Sequence, residues 1–305
     1  MTTGAGVPTS AVADWSGKRS ETVAAARTAR AVAVLSSGVA VLALLASLGG
    51  LLVDGVYGEP ASVAEMLRGY DLVTVVIVAP GLLVSQLLAG RKSDRWKLLS
   101  IGLLAYLIYT YAYYLFPTSF NPLFLLHVLV FSGSLFALVL GLATMDVVGI
   151  VARFSRHTPR RAIAIMLAVL AVSLAGLWVY HSVRFAVSGV LPAGSALVEP
   201  DAVVHLGIGL DLAILVPAYS VAAVWLWRAV PAGYILAAAV LVSGALHQLS
   251  YMVALTFQAT AEVPGAVMFD PIEPFIALLY VVAAGLLLRA AGRGPGRGNP
   301  EPFPE

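Results

Sequence analysis

The sequence predicts an all-α transmembrane protein, an eight-helix bundle with both termini in the cytoplasm. Three observations lead to this fold class. Eight apolar stretches divide the chain, and each approaches the roughly 20 helical residues that cross a hydrocarbon core of about 30 Å. The Lys and Arg residues lie almost entirely in alternate gaps between these stretches. Short polar motifs of the first half of the chain recur in the second half.

The composition agrees with membrane-spanning helices. Apolar residues make up 60% of the chain and charged residues only 11%, far from the values of a soluble domain. The apolar runs are continuous rather than alternating, which indicates helices instead of the strands of a barrel. The predicted spans are 31–53, 71–90, 97–116, 122–145, 162–183, 207–228, 231–257 and 271–290.

The basic residues predict the orientation of the spans. Of the 18 Lys and Arg residues, all but Arg68 and Arg184 fall on the side of the membrane that holds both termini. Cytoplasmic loops retain Lys and Arg during insertion, so that side is predicted to be the cytoplasm. These clusters are topology signals near anionic lipid headgroups and do not indicate nucleic-acid binding. The strong preference for Arg over Lys is typical of GC-rich bacterial genomes, and we expect a bacterial cytoplasmic (inner) membrane.

Recurring motifs divide the chain into two units. An Asp-Leu pair and a later Pro mark spans two and six, and a Phe-Asx-Pro triplet opens spans four and eight. The residues are Asp71-Leu72 with Pro80, Asp211-Leu212 with Pro217, Phe120-Asn121-Pro122 and Phe269-Asp270-Pro271. The motifs keep their order, which predicts duplicated four-helix units at 31–157 and 158–290. Each unit has an even number of crossings, so the two units are parallel. Disordered cytoplasmic segments are predicted at 1–30 and 291–305.

These motifs resemble those of an unannotated family of bacterial eight-span integral membrane proteins with no known activity. The resemblance rests on the Asp-Leu pairs and prolines of spans two and six, on the Tyr-rich span three, and on the Phe-Asn-Pro-Leu-Phe sequence at 120–124. It covers most of residues 71–285 and implies the same eight-span fold. The His residues of this chain are not part of the family pattern.

Polar side chains within the spans concentrate in the outer halves under this topology. The candidate ligand-binding residues are Asp71, Tyr109, Asn121, Asp211 and Asp270. The acids would supply charge, and the amide and the phenol would supply hydrogen bonds. Polar groups held in lipid tend to face a bundle interior or a wet cavity. The sequence therefore favours an outward-facing polar pocket that binds or transports a cation or a small polar or amphipathic solute.

Each of these residues also has a structural interpretation. Asp71, Asp211 and Asp270 would start inward-running helices, where a carboxylate caps free N–H groups and interacts with the helix dipole. The tyrosines of span three would form an interfacial aromatic belt. However, Tyr106, Tyr109 and Tyr113 recur on one helical face, which also suits a pocket wall.

The histidines define a second functional hypothesis, an intramembrane metal- or haem-dependent enzyme. His127, His205 and His247 with Asp211 or Glu273 could bind a divalent metal, because imidazole and carboxylate suit zinc. Two histidines could instead be axial ligands of a haem. An arrangement of two four-helix bundles resembles haem A synthases, which place ligating His on even-numbered spans of both bundles. Here the two units do not share a His, so no cofactor is predicted.

Missing motifs leave an enzymatic activity without direct support. The chain has no Cys, which removes thiolate chemistry, and it contains no HExxH sequence or nucleotide-binding loop. A third hypothesis is a structural or accessory membrane subunit whose polar residues are only caps and belt. The lipid bilayer is the one partner predicted; a partner protein and a homo-oligomer stay open.

Overall fold

The computed structural model describes residues 9–89, 94–155, 157–192 and 194–291, with side chains from residue 26 onward. Over these ranges the protein is helical and contains no β-strand. The helices are α1 (Thr9–Leu52), α2 (Ala61–Val73), α3 (Ala79–Ala89), α4 (Asp94–Leu115), α5 (Phe124–Ala143), α6 (Val147–Ala152), α7 (Arg160–Ser188), α8 (Asp201–Leu210), α9 (Val216–Trp227), α10 (Pro231–Thr260) and α11 (Glu273–Ala290). A first π-segment, Thr74–Val78, joins α2 to α3, and a second π-segment, Asp211–Leu215, joins α8 to α9.

Within the described ranges, eight helical stretches of 18 to 30 residues are long and apolar enough to cross a membrane. This confirms the predicted number of spans. Span two begins at Ala61 and span six at Asp201, earlier than predicted. The start of span two was predicted too late because the charged side chains of Glu65 and Arg68 interrupt the apolar sequence. They lie one turn apart on α2 and form an ion pair at 3.3 Å, so the helix continues through them.

The first helix also begins earlier than composition indicated. The backbone is helical from Thr9, whereas disorder was predicted through residue 30. The segment is rich in Ala, the residue with the highest helix propensity, which accounts for the difference. Residues 1–8 and 292–305, which belong to the predicted disordered ends, lie outside the described residues.

Helices α4 and α10 form the centre of the bundle. Within the most apolar 18-residue stretch of each span, 78% of the residues are buried in α4 and 67% in α10. The corresponding share in the other six spans is 22–33%. Small residues allow close packing around this pair. A Cβ added at Gly69 of α2 would lie 2.6 Å from the Cα of Ala254 on α10. The other spans surround the pair and expose large apolar side chains such as Leu87 and Val172, as a lipid-facing surface requires.

The two π-segments occur at equivalent places before the prolines of spans two and six. Pro80 and Pro217 each lie two residues beyond the end of a π-segment. Proline lacks the N–H that would complete the preceding α-helical turn, and a wider turn accommodates that loss. The Asp residues do not share this register, because Asp211 is the first residue of its π-segment and Asp71 lies three residues before Thr74.

The Phe-Asx-Pro triplets form the same local turn. The side-chain oxygen Oδ1 of Asn121 accepts a hydrogen bond from the N–H of Leu123 at 3.0 Å. Asp270 Oδ1 accepts one from the N–H of Ile272 at 3.1 Å. In both places the following helix begins three residues after the Asx residue. Each side chain therefore closes a turn just before its helix. The cap positions are Leu123 and Ile272, and neither helix start has a side-chain cap, so Asp270 does not cap α11 as the sequence had indicated.

The capping interpretation is also wrong for Asp71 and Asp211. Asp71 and Asp211 are each the eleventh residue counted from the helix starts at Ala61 and Asp201. Both carboxylates are therefore deep inside continuous spans, far from the free N–H groups of a first turn. The hydrogen-bond donors for these two carboxylates must therefore come from other side chains.

Candidate functional site

A cavity of about 520 Å³ lies between α2, α4, α7, α8, α9, α10 and α11, beneath the loop 194–199. Its wall carries aromatic side chains that bear a hydroxyl or an indole N–H, namely Tyr70, Tyr109, Tyr113, Trp178, Tyr219, Tyr251 and Tyr280. Its carboxylates are Glu199, Asp211, Asp270 and Glu273. Among the described residues that line it there is no Lys and no Arg. The cavity is thus acidic and aromatic.

Asp211 holds two hydrogen bonds from different helices. The Tyr109 hydroxyl of α4 donates to Oδ1 at 2.7 Å, and the Trp178 indole N–H of α7 donates to Oδ2 at 2.8 Å. Within the described part of the chain, no ion pair involves Asp211. Each carboxylate oxygen can accept more than one hydrogen bond, so the group retains acceptor capacity toward the cavity.

Aromatic neighbours fix the rings around Asp211. The rings of Tyr109 and His247 meet edge to face at 4.9 Å between centroids. The Tyr113 hydroxyl lies 3.4 Å from that of Tyr109. Near α11, the Tyr280 hydroxyl donates to that of Tyr219 at 2.8 Å. Edge-to-face and hydroxyl contacts of this kind hold side chains in one arrangement.

The loop side of the cavity carries the remaining acids. Gln248 of α10 donates to Glu273 of α11. Ser195 donates to Glu199 at 3.1 Å, and the N–H of Ala196 donates to the Tyr251 hydroxyl at 2.9 Å. Burial raises the pKa of the Glu199 carboxyl above its ordinary value, because a partly dry site disfavours the charged form.

A second group of polar side chains, the Asp71 cluster, lies between α1, α2, α4 and α5. Asp71 is 1% exposed. Tyr57 donates to its Oδ2, and the Tyr114 hydroxyl donates to its Oδ1 at 3.0 Å. Gly50 of α1 lies directly against this pair, and a Cβ there would overlap both Asp71 Oδ2 and the Tyr57 hydroxyl. Burial and the neighbouring carboxylate raise the pKa of Tyr57, which keeps its hydroxyl a donor.

His127 completes the Asp71 cluster from α5. Its ring lies 4.8 Å from that of Tyr114 and 5.8 Å from that of Tyr111, measured between centroids. The side chain is fully buried, and neither ring nitrogen has a hydrogen-bond partner among the described residues. The imidazole therefore contributes chiefly as a packed aromatic ring.

Three of the five predicted ligand-binding residues line the cavity. They are Tyr109, Asp211 and Asp270. Asp71 lies in the separate, closed cluster, and Asn121 lies at the start of α5 and is not part of the cavity lining. The structure therefore divides the predicted set between two places.

The tyrosines of α4 do not form a lipid-facing belt. All five are buried, with exposures of 0 to 7%. Tyr109 and Tyr113 line the cavity, as the predicted pocket wall requires, while Tyr111 and Tyr114 belong to the Asp71 cluster. Tyr106 instead bonds Ser250 of α10 at 2.6 Å. One helix thus supplies phenols to both polar regions.

The predicted histidine cluster is not assembled. His127 is in the Asp71 cluster, His247 lines the cavity, and His205 is exposed on α8 beside a smaller depression between α7 and α8. Glu273 lines the cavity but is bonded to Gln248. The described residues contain no group of three or more His, Asp or Glu side chains placed to hold a metal ion. The metal or haem hypothesis and the accessory-subunit hypothesis stay predictions.

Sequence reasoning missed several residues of the cavity. Trp178, Tyr219 and Tyr280 are single polar aromatics inside otherwise apolar spans, and Glu199 lies in a loop. The signal that could have found the aromatics is their hydrogen-bonding group, which needs a partner when it is buried in a membrane.

The fold and the cavity define a multi-pass α-helical membrane protein with an acidic, aromatic cavity between its spans. Comparison with family models, with curated proteins and with solved structures found no match.

Proposed function

We propose that this is a protein of the bacterial cytoplasmic membrane that binds, and on binding transports, an organic cation through an outward-facing cavity. The observation that carries the proposal is the chemistry of the cavity wall, four carboxylates and seven polar aromatic side chains without Lys or Arg among the described lining residues. A ligand rather than a protein side chain then supplies the positive charge that these acids lack.

Aromatic rings and acids together favour a weakly hydrated cation. A cation near a Tyr or Trp ring is attracted by the negative face of the ring, and the attraction strengthens when water is excluded. A carboxylate adds a direct charge interaction. Substituted ammonium ions combine a charge with an apolar surface, so they match a wall of this composition better than a small, strongly hydrated metal ion does.

We propose that Asp211 is the residue that recognises the positive charge of the ligand. An ionisable side chain inside a membrane span is expensive to bury and usually marks a binding site or an ion path. Asp211 receives two neutral donors but no cation from the described chain. A bound ammonium group would complete its environment.

The experiment is binding of tetramethylammonium to purified protein in nanodiscs, followed by calorimetry. We expect Asp211→Asn to weaken binding by about 10- to 100-fold, since a charge pair about 6 Å apart at an effective dielectric constant of about 20 contributes about 3 kcal/mol at most. The matched control is Asp54→Asn, which removes the same charge from an exposed loop. Equal affinity in the two variants would remove Asp211 from the site, and absence of binding in the unaltered protein would contradict the proposal.

The proposed orientation has both termini in the cytoplasm and the cavity facing outward. It is supported by the segregation of Lys and Arg, which places the loops around Arg228 inside and those around Asp54 outside. The chain has no Cys, so single cysteines are unambiguous reporters. In intact cells a membrane-impermeant maleimide should label Asp54→Cys and spare Arg228→Cys until the membrane is opened. The reverse pattern would invert the topology.

We further propose that the two four-helix units are duplicated and parallel, and that the chain belongs with the eight-span family its motifs resemble. The matching π-segments before Pro80 and Pro217 support a duplication, as do the matching turns at Asn121 and Asp270. The different registers of Asp71 and Asp211 mean that any duplicated halves have since diverged in their polar sites.

A further inference from the structure

A second, almost wholly apolar space adjoins the cavity along the bundle. This groove has a volume of about 520 Å³ and lies between α4, α5, α9 and α10. Its walls include Ala105, Ala112, Leu215, Ala218, Leu236 and Ala239. At its rim Phe116 is 63% exposed and Ile214 is 52% exposed. Exposed apolar side chains at this depth face lipid, so the groove is open sideways to the bilayer.

The groove and the cavity share helix faces. On α10, Leu236, Val240 and Ser243 line the groove, and His247 and Tyr251 line the cavity. These positions follow one another at intervals of three or four residues, which is one continuous helical face. The polar space and the apolar space therefore lie end to end along one face of α10.

Tyr109 stands where the two spaces meet. It lines both of them, and at their junction its hydroxyl on α4 bonds Asp211 of the second π-segment. Ile214 and Leu215 of the same π-segment line the groove side. Isolated π-helical turns are frequent at functional sites, where they supply a widened backbone beside a ligand.

We propose that the ligand is an amphipathic cation, an alkylammonium compound whose head occupies the cavity at Asp211 and whose chain lies in the groove. This inference rests on the proposed function and extends it from the charge of the ligand to its chain. Charge complementarity places the head, because the acids line one space while the other is apolar. The lateral opening gives a membrane-dissolved chain direct entry, so such a ligand would reach the site from the bilayer.

The test compares tetramethylammonium with butyl-, hexyl- and octyltrimethylammonium on the full chain in nanodiscs. Each methylene buried in the groove should raise the affinity about fourfold, the equivalent of about 0.8 kcal/mol. Ala218→Phe fills the groove and should abolish the gain with chain length while leaving tetramethylammonium affinity unchanged. The matched control is Ala186→Phe, the same change on an exposed position of α7, which should keep the full gain.

A second variant protects the test against misfolding of Ala218→Phe. Ile214→Ala removes apolar surface from the exposed rim and should reduce the gain per methylene without loss of tetramethylammonium binding. A gain that persists unchanged in both groove variants means that the chains enter the bilayer only, which overturns the groove proposal. Binding of tetramethylammonium without any chain-length gain also overturns it but leaves the proposed function intact. Failure of every ammonium compound to bind overturns both.

Discussion

Asp71 and Asp211 are bonded in similar ways but have different access. Each carboxylate receives a tyrosine hydroxyl from α4, from Tyr114 in the first case and from Tyr109 in the second. The second donor to Asp71 is Tyr57, held against Gly50 of α1, and that cluster is closed. The second donor to Asp211 is the large Trp178 of α7, and a cavity remains beside it. The same polar chemistry thus serves closed packing around Asp71 and lines a cavity at Asp211.

The largest effect is expected from a substitution in the closed Asp71 cluster. Gly50→Ala would place a methyl group onto Asp71 and Tyr57, and both overpacking and loss of a buried hydrogen bond follow. We expect a loss of about 3 kcal/mol in the free energy of unfolding, with unchanged affinity for tetramethylammonium. Reversible unfolding in mixed micelles measures the first quantity and calorimetry the second.

The control for this prediction is on the same helix. A Cβ at Gly38 has no atom within 4 Å, so Gly38→Ala should be neutral or stabilising by up to about 1 kcal/mol. If Gly38→Ala and Gly50→Ala destabilise equally, the closed packing around Asp71 is not what distinguishes the two regions.

A matched pair on α4 sharpens the comparison. Tyr114→Phe removes a donor to the buried Asp71 and should lower the free energy of unfolding by about 1–2 kcal/mol, while cation binding stays the same. Tyr109→Phe removes the corresponding donor to Asp211, which faces the cavity, and should change cation affinity more than stability. Parallel unfolding and calorimetric measurements on both variants decide the point. If the two variants change stability and cation affinity to the same extent, the Asp71 cluster and the cavity do not differ in function.

The smallest expected effect is the pH dependence of the open site. Burial raises the pKa of Glu199 above its ordinary value, so this carboxyl loses its charge at a higher pH than an exposed Glu does. Cation affinity should therefore fall about two- to fivefold as the pH drops through the raised pKa, the magnitude of a partly screened ion pair. Titration calorimetry across the pH range in which this carboxyl titrates measures the fall, and Glu199→Gln should reduce it.

The same shift has a definite sign for stability. The folded pKa of Glu199 lies above the unfolded pKa, so folding disfavours the charged form. The contribution of Glu199 is most favourable at low pH, where the group is protonated in both states. It becomes less favourable as the pH rises from the unfolded value through the raised folded value. A ligand-free protein that gains stability from Glu199 over that interval would contradict the burial of this carboxyl.

Much of the fold was readable from sequence because lipid imposes a simple rule on every span. Continuous apolar runs predicted the eight membrane-length helices. Tyr109 and Asp211 were both predicted as ligand-binding residues, but the hydrogen bond between them was not predicted. Access to each acid was not readable. Asp71 is closed off because Gly50 of another span packs against it. Nothing in the sequence around Gly50 indicates that contact. The predicted start of span two was wrong because Glu65 and Arg68 form an ion pair inside the span.

The second π-segment also determines the direction in which its acid is aimed. A π-helical turn holds one residue more than an α-helical turn. An α-helix rotates by about 100° per residue, so the part of span six before the segment is turned by about that angle relative to an uninterrupted helix. Asp211 stands at this offset and meets Tyr109 and Trp178 from two other spans. Deleting one residue from the segment would turn Asp211, together with the side chains of α8, relative to α9, so the winding of the backbone is part of what directs this carboxylate to its partners.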